Sequence, residues 1–97
     1  MELKDTVYLM NSDSYQERFK AEYYQTKIRY EKLKAFNNKI EAAELTSYTS
    51  MGDEYRKVVE MPEHDCPDFL LRDQQKAMGE YLHILELRAV IEGIILL

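Results

Sequence analysis

Phe19, Thr26, Leu33 and Ile40 recur every seven residues, and Tyr23, Tyr30 and Asn37 follow the first three by four. Residues at these steps share one side of an α-helix, so a single stripe runs for about six turns. Ser14 and Glu17 form an S-x-x-E pattern just ahead of it. There the serine oxygen can accept an early backbone N–H while the glutamate reaches back, which marks a helix start. The spacing therefore predicts a helix over 14–43. The stripe is only partly apolar, which weakens it as a core seam and leaves room for a wet pocket. Leu3, Val7 and Met10 predict a shorter amino-terminal helix over 2–11.

A second long helix is expected over 67–92, with Cys66 as its cap, Pro67 at the first helical position and Asp68 favouring the positive end of the dipole. Its apolar residues form two adjacent columns, Leu71, Met78, Leu85 and Leu70, Ala77, Ile84, Ile91, joined by Tyr81. That face is wider than one antiparallel neighbour covers, so part of it should meet another chain. Between the long helices, over 44–66, Thr46, Ser47, Thr49, Ser50, Gly52 and Pro62 break the period. A connection is expected there, with alternation at 55–61 that permits a strand or small hairpin. The fold class is all-α: one helical-hairpin domain over 1–97 in an oligomeric bundle.

At 97 residues a chain buries a small share of its surface, and partners can supply the rest. The tail after Glu92, Gly-Ile-Ile-Leu-Leu, would expose several hundred Å2 of apolar surface if left in water. At roughly 25 cal/mol per Å2, homo-oligomerisation is the economical explanation, and a tail folded back over its own helices is the alternative. A single cysteine, Cys66, allows no internal disulfide, and no leader-like or membrane-spanning run is visible. The expected setting is a reducing cytoplasm without membrane attachment.

The formal net charge is −5, yet residues 18–39 carry seven Lys or Arg against two Glu. That segment is +5 and the remainder −10. An acidic chain lacks the broad basic face that DNA or RNA needs, so neither is expected as a partner. A ligand with two or three phosphates fits better. Tyr15, Tyr23, Tyr24 and Tyr30 lie in or beside the cationic stretch, and cations grip phosphate while flat rings stack on bases. The plainer reading is a solvated face with half-buried tyrosines. Helical phase puts Tyr15, Arg18, Glu22 and Arg29 roughly along one side, with Lys32 a turn further. Lys27 and Lys34 point elsewhere, toward a neighbouring subunit or solvent. Arg88 reads as a structural side chain, snorkelling or paired, with Glu22 one candidate partner.

Catalytic machinery is not visible. His64, Asp65 and Cys66 are consecutive, with His83 isolated on a helix, which is a poor zinc pattern, so no metal is expected. Gly52, Gly79 and Gly93 are scattered and form no phosphate loop. No cofactor is expected either. The reading is a binding protein and not an enzyme.

Taken together, Tyr15-Gln-Glu-Arg18-Phe19-Lys-Ala-Glu22, Arg29-Tyr-Glu-Lys32-Leu33-Lys-Ala-Phe36, Gln75-Lys-Ala-Met78-Gly-Glu-Tyr81-Leu-His-Ile84-Leu85 and Arg88 resemble the small phage proteins that act as sponges against cyclic-oligonucleotide antiphage signalling in bacteria. The resemblance covers both long helices. It implies a homo-oligomer, commonly a hexamer, that holds cyclic dinucleotides between protomers without cleaving them, in the bacterial host cytoplasm. It also implies that Tyr15 stacks on a base with Arg18 beside it, and that Arg29 or Lys32 reaches a phosphate from a neighbouring protomer. Two departures stand out. Tyr30 occupies a position where the resemblance implies a cation, and the connection is longer than the short linker of that family. A cyclic trinucleotide or a cyclic ADP-ribose signal is thus an alternative ligand. A structural or adaptor phage protein that binds another polypeptide is the alternative function.

Overall fold

The structure, a computed structural model, describes residues 1–47 and 58–96. Three helices follow in order: α1, Leu3–Met10; α2, Tyr15–Ser47; and α3, Asp68–Glu92. Among the described residues there is no strand, and the architecture is all-α with a short helix ahead of two long ones. Residues 58–61 of the expected strand or hairpin carry no regular structure, while 55–57 lie outside the described residues.

Side chains set each helix end. At α1, the Glu2 N–H donates to Asp5 Oδ2 at 2.8 Å. At α2, the Glu17 N–H donates to Ser14 Oγ at 3.4 Å, but the Ser14 N–H is taken by Ser12 Oγ at 3.0 Å. Ser12 thus performs the task assigned to the glutamate. Helix α2 also continues four residues past the expected end at 43. Thr46 and Ser47 donate their hydroxyls to the carbonyls of Ala42 and Glu44, at 2.8 and 2.7 Å. That back-bonding lets polar residues stay helical instead of breaking the turn. Helix α3 begins one residue late, with Pro67 itself as the cap (ψ 144°), so Cys66 stands outside it.

Gly93 ends α3 in the left-handed region, φ 72°, and the next N–H, from Ile94, returns to the Ala89 carbonyl at 2.8 Å. A β-carbon is strained at that φ although nothing crowds it. Gly93→Ala should therefore cost about 1 kcal/mol in a urea titration. An unchanged midpoint would contradict the reversal.

That reversal corrects the reading of the tail as an intermolecular patch. Ile94 is buried in its own chain with Phe19 and Tyr23 of α2 and Leu82, Leu85 and Ala89 of α3, and Leu96 packs against the same cluster. Of the tail's described apolar side chains, Ile94 to Leu96, only Ile95 is exposed. At the other end of the hairpin, Asn37, Ile40 and Ala43 are buried. Asn37 Nδ2 donates to the Leu71 carbonyl at 3.2 Å and to Gln75 Oε1 at 2.8 Å. Helix α1 lies against a different side of α2. Thr6, fully buried, gives its hydroxyl to the Leu3 carbonyl at 2.6 Å and accepts from Gln25 Nε2 at 2.8 Å.

The two columns of α3 separate as their breadth implied. Leu85 is buried, with Leu71 and Met78 half-buried, whereas Leu70, Ala77, Ile84 and Ile91 are exposed, Ile91 by 82%. Leu87 and Val90 widen the uncovered face. The radius of gyration is 18.1 Å, against about 13 Å for a compact chain of this length. A rod of this shape has no inside large enough for both columns.

The stretch leading into α3 is held by a clasp. His64 Nε2 meets Asp68 Oδ1 at 2.7 Å, Nδ1 meets the Pro62 carbonyl at 2.7 Å, and the ring stands edge-on to Phe36 at 5.9 Å. Acceptors at both nitrogens favour the imidazolium: the Pro62 carbonyl foremost, then Asp68, raise the His64 pKa. A folded-state pKa above the unfolded value, about 6.5, gives stabilisation complete below that pH and lost as pH rises through the folded value. The melting-temperature advantage of the wild type over His64→Asn should therefore shrink as pH is raised from 6 to 8. A constant advantage would show that the clasp is not charged.

Candidate functional site

The amino-terminal turn of α2 and the carboxy-terminal turns of α3 bring Tyr15 and Arg88 together. The Tyr15 hydroxyl donates to Glu92 Oε1 at 2.7 Å and accepts from Arg88 Nη2 at 2.9 Å. Arg88 also donates from Nε to Glu92 Oε2 at 3.3 Å, and its guanidinium lies 5.1 Å from the Phe19 ring centre. The hydrogen bond to Glu92 raises the Tyr15 pKa, so the phenol keeps its proton. Its ring is exposed and inclined 56° to Phe19. A fixed, half-open ring beside a guanidinium suits a flat anion.

Arg18 lies on the adjoining surface, its Nη1 donating to the Ser12 carbonyl at 2.8 Å. With Met10, Glu22 and Gln25 it lines a cavity of about 290 Å3 between α1 and α2. Glu22 accepts the Tyr81 hydroxyl, which raises the tyrosine's pKa. Glu22 is therefore taken, and the Glu22–Arg88 pairing considered from sequence is not made.

Arg29 and Lys32 stand elsewhere. Fourteen residues separate Tyr15 from Arg29, or about 21 Å along the helix at 1.5 Å per residue. Arg29 is exposed and without a partner among the described residues. Lys32, on the α1 side, borders a groove of about 580 Å3 with Met1, Tyr24, Lys27 and Ile28. Within one chain Tyr15 and Arg18 are one helical turn apart, without a direct contact, whereas Arg29 and Lys32 lie several turns further along α2. A base and its own phosphate do not span 21 Å, so a ligand touching Tyr15 and Arg29 must take them from different copies.

Arg88 and Glu92 are the site residues that sequence reasoning passed over. Arg88 follows Tyr15 by 73 positions, and no local spacing reports such a contact. The signal that did exist was a cation in line with the apolar stripe of α3, read as structural. Among the described residues, no group of three His, Cys, Asp or Glu is placed to hold a metal, and no helix is long and apolar enough to cross a membrane.

A short helix laid on a long hairpin, with tyrosine and guanidinium paired at one end, defines a small all-helical protein. The family model described as Sequestin matches residues 13–50 and 39–91. The chain belongs to the Sequestin family, a name that suggests a sequestering role. No curated protein and no solved structure matches the chain.

Proposed function

We propose that this chain is a phage anti-defence protein that binds a cyclic oligonucleotide immune signal, a cyclic dinucleotide foremost, and withholds it from the host without cleaving it. The ligand sits where copies of the chain meet. The observation that carries this is the pairing of Tyr15 with Arg88 beside Arg18, while the uncommitted Arg29 lies about 21 Å away on the same helix. Tyr15 stacks on a base and Arg18 and Arg88 hold the neighbouring phosphate. Arg29 or Lys32 of another copy closes over the second phosphate. The uncovered face of α3, with Ile84, Leu87 and Ile91 exposed, supplies the apolar contact that assembles the copies. Sequestration needs tight binding and no bond-breaking group, so this is not an enzyme.

The test is direct. Purified protein is incubated with cyclic dinucleotides, cyclic trinucleotides and cyclic ADP-ribose isomers, freed of unbound ligand and denatured, and the released molecule is identified by mass. An intact cyclic dinucleotide supports the proposal; a cyclic ADP-ribose isomer moves it to another signal, and a cleaved product makes the chain an enzyme. Nothing retained would sink it. That last outcome favours the adaptor reading, which the same exposed α3 face supports as a site for another polypeptide.

A further inference from the structure

The opposite flank of the hairpin carries a second groove. Arg72, Lys76, Gly79, Glu80 and His83 of α3 border it from one side and Tyr30 of α2 from the other, around a volume of about 730 Å3. That is within the range of small-molecule sites, about 300–1,000 Å3. Arg72, Lys76 and His83 lie four and seven residues apart, so they align along α3 on a side turned away from Tyr81 and Arg88. Lys27, which borders a cavity with Tyr23 and Glu86 on this flank, and Lys34 two turns later extend the positive surface along α2.

Three features distinguish this groove from a merely solvated face. Lys76, His83 and the Tyr30 hydroxyl have no hydrogen-bond or ion-pair partner among the described residues. Gly79 sits mid-helix, where glycine costs up to about 1 kcal/mol relative to alanine. A β-carbon there would stand 3.3 Å from Tyr30 Cε2. Glycine therefore lets the tyrosine ring lie close against α3 as one wall of the groove. Arg72 feels the carboxylates of Glu44 and Asp68, but neither forms an ion pair with it within 4.0 Å among the contacts described.

We propose that the groove between Tyr30 and the Arg72–His83 flank of α3 is a second binding site, complete within one chain, for a ligand that joins a phosphate to a flat heterocycle. Arg72 and Lys76 take the phosphate, Tyr30 stacks on the ring, and Glu80 accepts from its amino or sugar hydroxyl groups. The site shares no residue with the Tyr15 cluster and needs no second copy, so it stands or falls apart from the proposed function.

AMP carries both chemistries in the smallest form and is the probe, with adenosine and inorganic phosphate as its halves. The full chain, 15N-labelled, is titrated with each to millimolar concentration and followed by NMR. AMP should shift the amides of Tyr30, Gly79 and His83 and leave those of Tyr15 and Arg18 in place, with adenosine and phosphate each weaker. Arg72→Ala with Lys76→Ala should weaken AMP at least about tenfold, while Lys76→Arg retains it, since charge-assisted hydrogen bonds are the main attraction. Both replaced residues are exposed, so folding is preserved, and circular dichroism verifies it. Absence of shifts in the groove, equal binding by the double variant, or shifts confined to Tyr15 and Arg18 would each overturn the site.

Discussion

Leu85→Ala is expected to lower the unfolding free energy by about 3 kcal/mol, the typical cost of removing a fully buried leucine and leaving a cavity. Leu85 has no exposed surface and belongs to the one cluster that joins α2, α3 and the returning tail. Small domains are stable by only about 5–15 kcal/mol, so the variant should unfold at a much lower urea concentration. Ile91→Ala is the internal control. Its side chain is 82% exposed, and in a dilute, monomeric sample the change should be under about 0.5 kcal/mol. At high protein concentration the two can converge if the Ile91 face meets another copy, because burial would then be intermolecular. A loss below 1 kcal/mol for Leu85→Ala would mean that the hairpin's stability resides elsewhere.

The helices were legible because period and punctuation agreed. The seven-residue stripe from Phe19 to Ile40 has its buried members at Phe19, Tyr23, Asn37 and Ile40. On α3 the two columns were legible but not which of them faces inward, and the buried Leu82 and Ala89 belong to neither. What misled was composition near the ends. Thr46 and Ser47 read as a break, yet their hydroxyls found carbonyls one turn back. The tail read as a patch for a partner, yet Gly93 turned Ile94 inward. Both outcomes hang on where a few atoms end up after the chain bends, which hydrophobic pattern does not encode.

The candidate site divides along the same line. Tyr15 and Arg18 were legible because ring and charge sit four residues or fewer apart on one helix. Arg88 and Glu92 join them only through the hairpin closure, so a long-range contact decides that the Tyr15 hydroxyl is held from both sides. Glu92 is also a negative charge at a place proposed for an anion's neighbour. A phosphate approaching Arg88 must compete with that carboxylate, which lowers affinity but keeps the guanidinium and ring in position beforehand.

Under the proposed function, Tyr15→Ala and Arg29→Ala should each weaken cyclic dinucleotide retention by roughly 10- to 100-fold, since a stacked base and a charge-assisted hydrogen bond are each worth about 1–3 kcal/mol. Neither residue contributes to the buried cluster, so the variants remain folded. Mixing the two variants discriminates further. If one ligand touches Tyr15 of one copy and Arg29 of another, unfolding and refolding the variants together regenerates intact sites. Each needs Tyr15 from an Arg29→Ala copy and Arg29 from a Tyr15→Ala copy, which random assembly at equal amounts supplies at about a quarter of junctions. Equilibrium binding should then show that fraction of sites at wild-type affinity. Were both residues drawn from the same copy, the mixture would hold no intact site at all, and full loss in the mixture would place the ligand within one subunit despite the 14-residue separation along α2.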